Sequence, residues 1–237
     1  MCLPGIVCHG CSLRLKPAVS IGRFTPEAVI KYNSSVRNAR VTRRCQTIGK
    51  ESSLPSINKA FRILHRRLTQ QGLRVTALWA ADHLTRGVTG ANLRCVSQIT
   101  PQLHVGGQYR RRGWKRMVAR GITAVVNMRI EWDDNDAGIA PPRYLHLPTI
   151  DDHAPSLEQL NDGVAFIAEE IAQGGGAYIH CGAGVGRAAT MAAAYFVHTG
   201  MSPAEAWKYI REVRPFIKPT DAQIEQLERF AEQGRRN

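Results

Sequence analysis

The run HCGAGVGRAAT, from His180 to Thr190, sets a cysteine and an arginine six residues apart around a glycine-rich turn. Gly182, Gly184 and Gly186 free the backbone of the 182–186 segment, so that the N–H groups of Ala183, Val185 and their neighbours can face one point. The N-terminus of a following helix adds partial positive charge at that point. A phosphoryl group fits such a cradle. Arg187 offers two parallel N–H donors that match two phosphate oxygens, which a lysine there cannot reproduce. N–H donors, a helix N-terminus and a nearby arginine favour a thiolate over a thiol, so Cys181 reads as a nucleophile. His180 reads as a support that orients the loop, because a thiolate needs no base. Attack on a phosphoryl group expels an alkoxide or phenoxide that must be protonated. Asp151 and Asp152, thirty and twenty-nine residues before Cys181, are the candidates for that acid, and Asp152 is also a candidate cap for the next helix.

The elements that must hold these groups are legible as short apolar runs and helical periodicities. LHVGG, TAVVNM, YLHLPT and AYIH read as strands, and RAATMAAAYFVH after the loop reads as a helix. Leu157, Leu160, Val164, Ile167 and Ile171 recur at three and four, with Ser156 as N-cap and Gly174 to Gly176 as the stop. Trp207, Ile210 and Val213, then Ile224, Leu227 and Phe230, mark two more buried helix faces. The expected fold class is α/β, a central mostly parallel sheet flanked by helices on both sides. Such a sheet carries the loop at a strand's C-terminal end, where these folds bind ligands.

HCGAGVGRAAT resembles the His-Cys, five residues, Arg signature of the cysteine-dependent protein tyrosine phosphatase superfamily. The order of segments from about Ser97 to Phe230 is similar to its dual-specificity branch, with SPAEAWKYIREVRP and PTDAQIEQLERF as closing helices. The resemblance implies a metal-independent phosphomonoesterase with no cofactor, working through a cysteinyl-phosphate. It assigns Cys181 as nucleophile and Arg187 as phosphate clamp. Matching TIDDHAPSLEQL to the family pattern puts the acid, later the base toward water, at Asp151 on a mobile loop. Most members carry Ser or Thr after the arginine, where this chain has Ala188; the missing hydroxyl implies slower breakdown of the phosphoenzyme, and Thr190 is too late to replace it. Phosphoprotein, at phosphotyrosine and phosphoserine/threonine, is the first substrate class. TIDDHAPSLEQLNDGVAFI and RPFIKPTDAQIEQLERF also resemble the phosphatidylglycerophosphate phosphatase branch, so a lipid phosphomonoester is the alternative.

Other readings stand beside this one. A glycine-rich strand-to-helix turn can be only a turn. A rhodanese-type sulfurtransferase also uses a cysteine at a strand end, but the Gly184 and Arg187 spacing and the Asp151 loop argue against it. A phospho-binding pseudophosphatase fits Ala188. In MRIEWDDND, Arg129 is placed to reach the active-site rim, and Glu131, Asp133, Asp134 and Asp136 read first as a solvated loop. The neutral side chains of Gly182, Ala183 and Val185 disfavour a polyphosphorylated head group.

Charge divides the 237-residue chain. Residues 101–237 hold 16 Lys plus Arg against 16 Asp plus Glu, so the formal +13 comes from the first hundred. Three segments are expected: a basic, disordered extension over 1–58, a basic amphipathic helical lead-in over 59–95, and a catalytic domain over 96–237. In 59–84, Phe61, Leu64, Leu68, Val75, Leu78 and Trp79 fall near helical spacing, with Gly72 as a kink. Such a stripe packs on its own domain or lies on an anionic membrane surface. No nucleic-acid motif supports more than non-specific attraction, and nothing in the sequence bears on oligomeric state. No run approaches the eighteen apolar residues of a membrane span. The irregular spacing of Cys2, Cys8, Cys11, Cys45, Cys95 and Cys181 fits thiols in a reducing, cytoplasmic setting. Cys8 and Cys11 have metal-ligand spacing but no second pair.

Overall fold

The structure, a computed structural model, describes residues 57–236. The readings placed on 1–56, including the Cys8 and Cys11 pair, lie outside the described residues, as does the side chain of Phe61. Four strands form one sheet: β1 (Leu103–Gly107), β2 (Ala124–Arg129), β3 (Arg143–Thr149) and β4 (Ala177–Cys181). Their order is β1-β4-β2-β3 and every pairing is parallel. Parallel neighbours need crossovers. α2 (Arg111–Val118) supplies one between β1 and β2, and α3 (Leu157–Ala172) another between β3 and β4. The chain then closes with α4 (Arg187–His198), α5 (Pro203–Val213) and α6 (Asp221–Arg236).

Alternation along the strands sorts the core into two layers. Leu103, Val105, Val126, Met128, Ile179 and Cys181 face Leu160, Val164 and Ile167 of α3 and the helices beyond. Val125 and Tyr178 face the opposite way, onto Tyr109, Met117 and Ile122. α4 is the central helix of the first layer. Its buried Ala188, Ala189, Ala192, Ala193 and Ala194 have nothing beyond Cβ, so α3, α5 and α6 can all approach it. The helix spacings read from the sequence hold: Leu160, Ile167, Trp207, Ile210, Leu227 and Phe230 are buried.

α3 begins where expected. Ser156 accepts from the Gln159 N–H, and the Gln159 side chain returns to the Ser156 N–H, a reciprocal cap. Asp152 therefore does not cap this helix, because the chain makes a turn between them, with Asp152 at φ 60°. Gly174, at φ 84°, ends the helix by turning left-handed.

The lead-in is α1 (Ile57–Thr89), broken at Gly72 with φ 80° and ψ 169°. Arg67 before the break stacks 4.5 Å over the Trp79 ring after it. The apolar stripe is not what docks this helix. Leu64 and Leu68 are exposed and Val75, Leu78 and Trp79 only half-buried, whereas Thr76 and Asp82 are buried. Asp82 accepts from Asn92 Nδ2 and the Leu93 N–H, both at 2.8 Å. A buried carboxylate with donors converging from other segments fixes a helix more specifically than an apolar face does. None of the described helices is long and apolar enough to cross a membrane.

Ser156→Ala should lower the unfolding free energy by about 1 kcal/mol, read in urea as a lower midpoint at unchanged slope. An unchanged midpoint would mean that the cap contributes nothing.

Candidate active site

Cys181 ends β4, an inner strand with β1 and β2 as neighbours, and the chain turns at once through 182–186 into α4. Gly184 stands at φ 69°, and its N–H points back at Cys181 Sγ, 3.2 Å away. A side chain there would run into the carbonyl of Gly106 on β1, so backbone conformation and close approach both demand glycine. Of the residues Gly182, Ala183, Gly184, Val185 and Gly186 expected to form the cradle, Gly184 directs its N–H at the sulfur.

Arg187 opens α4 and is 1% exposed. Its Nη1 donates to the Thr149 carbonyl at 2.7 Å and to Glu131 Oε2 at 2.9 Å. Nη2 reaches Glu131 Oε1 at 3.0 Å and Asp151 Oδ1 at 2.8 Å. Nε has no partner although it is buried. A buried charge needs counterions, and here two carboxylates at the mouth supply them. Burial pulls the Arg187 guanidinium's pKa down, but Glu131, Cys181 and Asp151 outweigh it and carry it up. Hydrogen bonding to Arg187 in turn drives the Glu131 carboxyl down to about 2. Arg187 Nε is thus a buried donor without a partner, and the Gly184 N–H is a donor aimed at the sulfur. The structure brings Asp151, not Asp152, to Arg187; the Asp152 carbonyl instead accepts from Thr220 Oγ1 at 3.1 Å.

The acidic stretch after β2 is not a solvated loop. Glu131 also pairs with Arg129 at 2.8 Å, Arg129 donates to Gln108 Oε1 at 2.9 Å, and Gln108 donates to Asp134 Oδ1 at 2.8 Å. Asp134, fully buried, accepts from His180 Nε2 at 2.8 Å. Burial raises the Asp134 carboxyl's pKa, but His180, Gln108 and Tyr109 outweigh it and the net shift is downward. A continuous polar chain therefore runs from the residue before the cysteine to the arginine after it. Asp133 takes Tyr144 Oη at 2.8 Å; Asp136 is exposed, as a solvated residue would be. Across the mouth, Gln223 Nε2 donates to the His153 carbonyl and Gln226 Nε2 to that of Pro155, both at 2.9 Å, tethering the loop that carries Asp151. Thr190 Oγ1 bonds the Gly186 carbonyl at 3.2 Å, so it does not replace the hydroxyl missing at Ala188.

Sequence reasoning missed Glu131, Gln108 and Gln223 as parts of this site. The first two follow β2 and β1, the strands on either side of β4, so their place at C-terminal strand ends was the available signal. Gln223 carried none, because α6 meets the loop only through the tertiary fold.

A parallel sheet with a cysteine-to-arginine loop at the C-terminal end of an inner strand defines the cysteine-based phosphatases. Residues 105–233 match the family model described as dual specificity phosphatase, catalytic domain, and the chain belongs to that family. It is 29% identical over 138 residues to human dual specificity protein phosphatase 1, covering 57% of this chain and 37% of that one. It is 31% identical over 142 residues to mouse dual specificity protein phosphatase 14, covering 56% and 68%. Among solved structures, that of PTPMT1 in complex with PI(5)P is similar at 28% identity and a TM-score of 0.54, covering 59% of this chain and 97% of that one. The match thus spans little more than a third of the first of these relatives.

A carboxyl held at about 2 instead of near 4.5 stabilises the fold fully above about pH 4.5, and that stability is lost as pH falls toward 2. Glu131→Gln should therefore flatten acid destabilisation between about pH 5 and pH 2.5, measured by urea unfolding. Parallel curves for the two proteins would remove Glu131 as a counterion of consequence.

Proposed function

We propose that this chain is a metal-independent phosphomonoesterase that dephosphorylates phosphotyrosine and phosphoserine/threonine in proteins. Cys181 Sγ attacks phosphorus and the ester oxygen leaves, taking a proton from Asp151. Water then attacks the cysteinyl-phosphate, giving its proton to the Asp151 carboxylate and returning the thiolate. Arg187 and the 182–186 N–H groups hold the three non-bridging oxygens throughout, and charge spread over those oxygens is what such donors stabilise. The observation that carries this reading is the pairing of an N–H aimed at Sγ with a buried arginine whose Nε is unpartnered. Asp151, 78% exposed at its side chain, lies where a leaving group would emerge, and an incoming phosphate competes with it for Arg187. The thiol chemistry suits a reducing compartment, and on that ground we assign a cytoplasmic setting.

A lipid phosphomonoester is the second reading, favoured by the rim. Ile130, Trp132 and Ile150 are exposed immediately beside Glu131 and Asp151. The helix α1 exposes Ile63, Leu64, Leu68 and Leu73 among Arg66 and Arg74, a composition that suits an anionic membrane surface. PTPMT1, to which the chain is similar, has been solved with PI(5)P.

The deciding experiment is phosphate release by reduced protein in chelator from a phosphotyrosine peptide, a phosphothreonine peptide and phosphatidylglycerophosphate, with Cys181→Ser in parallel. Cys181→Ser should abolish turnover and retain phosphate binding; undiminished hydrolysis would overturn the mechanism. Binding without turnover by the unaltered chain would identify a pseudophosphatase. Asp151→Asn should slow alkyl phosphates by about 10²–10⁴-fold and good leaving groups much less. The same pattern from Asp152→Asn would move the acid. Ala188→Ser should speed phosphoenzyme breakdown in single-turnover analysis, and an unchanged rate would show that the hydroxyl does not matter here.

A further inference from the structure

The phosphate loop is held from outside by residues that precede the family match. In a trans peptide the carbonyl of one residue and the N–H of the next point in opposite directions. An N–H aimed into the cradle therefore sends the preceding carbonyl outward, away from the anion. Four successive carbonyls of this loop have outside partners. Gly182 O accepts from Arg86 Nη1 at 2.7 Å and from the Gln108 N–H at 3.2 Å. Ala183 O accepts from Arg214 Nη2 at 3.0 Å, and Gly184 O from Arg214 Nε at 2.7 Å. Val185 O accepts from the Lys218 N–H at 2.8 Å. These five bonds to four carbonyls direct the N–H groups of Ala183, Gly184, Val185 and Gly186 toward the opposite side, and Gly184 N–H is seen pointing at Sγ.

Two of the four carbonyls depend on one guanidinium, and that guanidinium depends on α1. Arg214 is fully buried, its Nη1 held by the Val96 carbonyl at 2.8 Å and its Nη2 paired with Asp82 Oδ2 at 3.3 Å. Asp82 is itself fully buried and oriented by Asn92 and Leu93. A third carbonyl depends on α1 directly, through Arg86. Gly107 has no side chain at the place where the Arg86 guanidinium passes, since a Cβ there would overlap it. Asp82 and Arg86 stand 23 and 19 residues before residue 105, where the family match begins.

We infer that Asp82 and Arg86 are positioning residues for the phosphate loop: Arg86 directly, and Asp82 through Arg214, hold three carbonyls outward so that the loop's N–H groups converge on the anion. The inference rests on the proposed phosphate site and makes the second half of α1 a working part of it.

The test uses the full chain with Arg86→Ala, Arg86→Lys and Asp82→Asn, reading inorganic phosphate affinity by calorimetry, kcat and KM for p-nitrophenyl phosphate, and the melting temperature. Arg86 is half-buried, and its replacement by alanine leaves the Asp82–Arg214 pair in place. Arg86→Ala should weaken phosphate binding about tenfold or more per folded molecule, the size of a lost hydrogen bond from a charged donor. Arg86→Lys should recover much of that, because an ammonium can still donate to Gly182 O. Asp82→Asn keeps the shape and removes the charge, and should weaken phosphate binding in the same direction. Folded variants that bind phosphate and turn over as the unaltered chain does would overturn this inference while leaving the phosphatase reading intact. Failure of the unaltered chain to bind phosphate would overturn both. Lower melting temperature with unchanged affinity and kcat/KM would make these residues structural only, and would also overturn it.

Discussion

The constraint on which this structure turns is peptide geometry. A loop that recognises a tetrahedral anion through its backbone must aim consecutive N–H groups inward, and each inward N–H pushes a carbonyl outward into protein. A buried carbonyl without a donor costs on the order of 1–3 kcal/mol, so four in a row would unmake the loop. Each has a donor here, and the donors come from four places: α1, the turn after β1, and the Arg214 and Lys218 positions after α5. The order β1-β4-β2-β3 brings two of these within reach, because β4 lies beside β1 and its loop leans on the β1 backbone at Gly106. What looks like a local motif of eleven residues is therefore closed by contacts spanning more than a hundred positions.

The second demand comes from Arg187. A buried guanidinium is a charge that must be balanced by its surroundings. Glu131 and Asp151 take its Nη1 and Nη2, and the Thr149 carbonyl also accepts from Nη1. They hold the arginine through Nη1 and Nη2 and leave its Nε without a partner. The cost is competition: an incoming phosphate gains only the difference between its own contacts and those of the carboxylates it displaces. In the proposed reaction that exchange is useful, because it releases Asp151 from Arg187 as the substrate arrives, when a carboxyl group is needed over the ester oxygen.

How much of this was legible follows the range of the interactions involved. The loop, its strand and its helix are adjacent in sequence, and Cys181, Gly184, Gly186 and Arg187 announced themselves. The helix faces of α3, α5 and α6 were readable because 3.6-residue periodicity is local. Asp151 needed the family pattern to be separated from Asp152, and φ 60° at Asp152 shows why: the chain reverses there and sends the two carboxylates apart. Glu131 and Asp134 were misread because acidic residues in a short loop are usually solvated. Only the pairing of β2 with β4 reveals that this loop faces Arg187 and His180. The lead-in was misjudged in the same way. Its apolar spacing drew attention to Leu64 and Leu68, whereas Asp82, a lone acid among basic residues, makes the decisive contact.

The side chains of Gly182, Ala183 and Val185 carry no charge, so in the proposed reaction backbone N–H groups and Arg187 are what would meet the phosphoryl group. A loop built this way cannot tell a tyrosyl phosphate from a glyceryl one by charge. In that reading, discrimination has to come from residues outside the loop. Ile130, Trp132 and Ile150 offer an apolar wall beside the two carboxylates. Lys218, whose N–H bonds the loop at Val185 O, also bonds Gln70 at 2.8 Å, and burial together with the charges of Arg66 and Arg67 pulls its pKa down. Under the proposed function, an aromatic leaving group would meet the apolar residues, and an amphiphile carrying a second anion would gain further from the basic ones. Under that proposal, any selectivity between protein and lipid would lie in the residues around the signature, to which α1 contributes Gln70 beside Lys218.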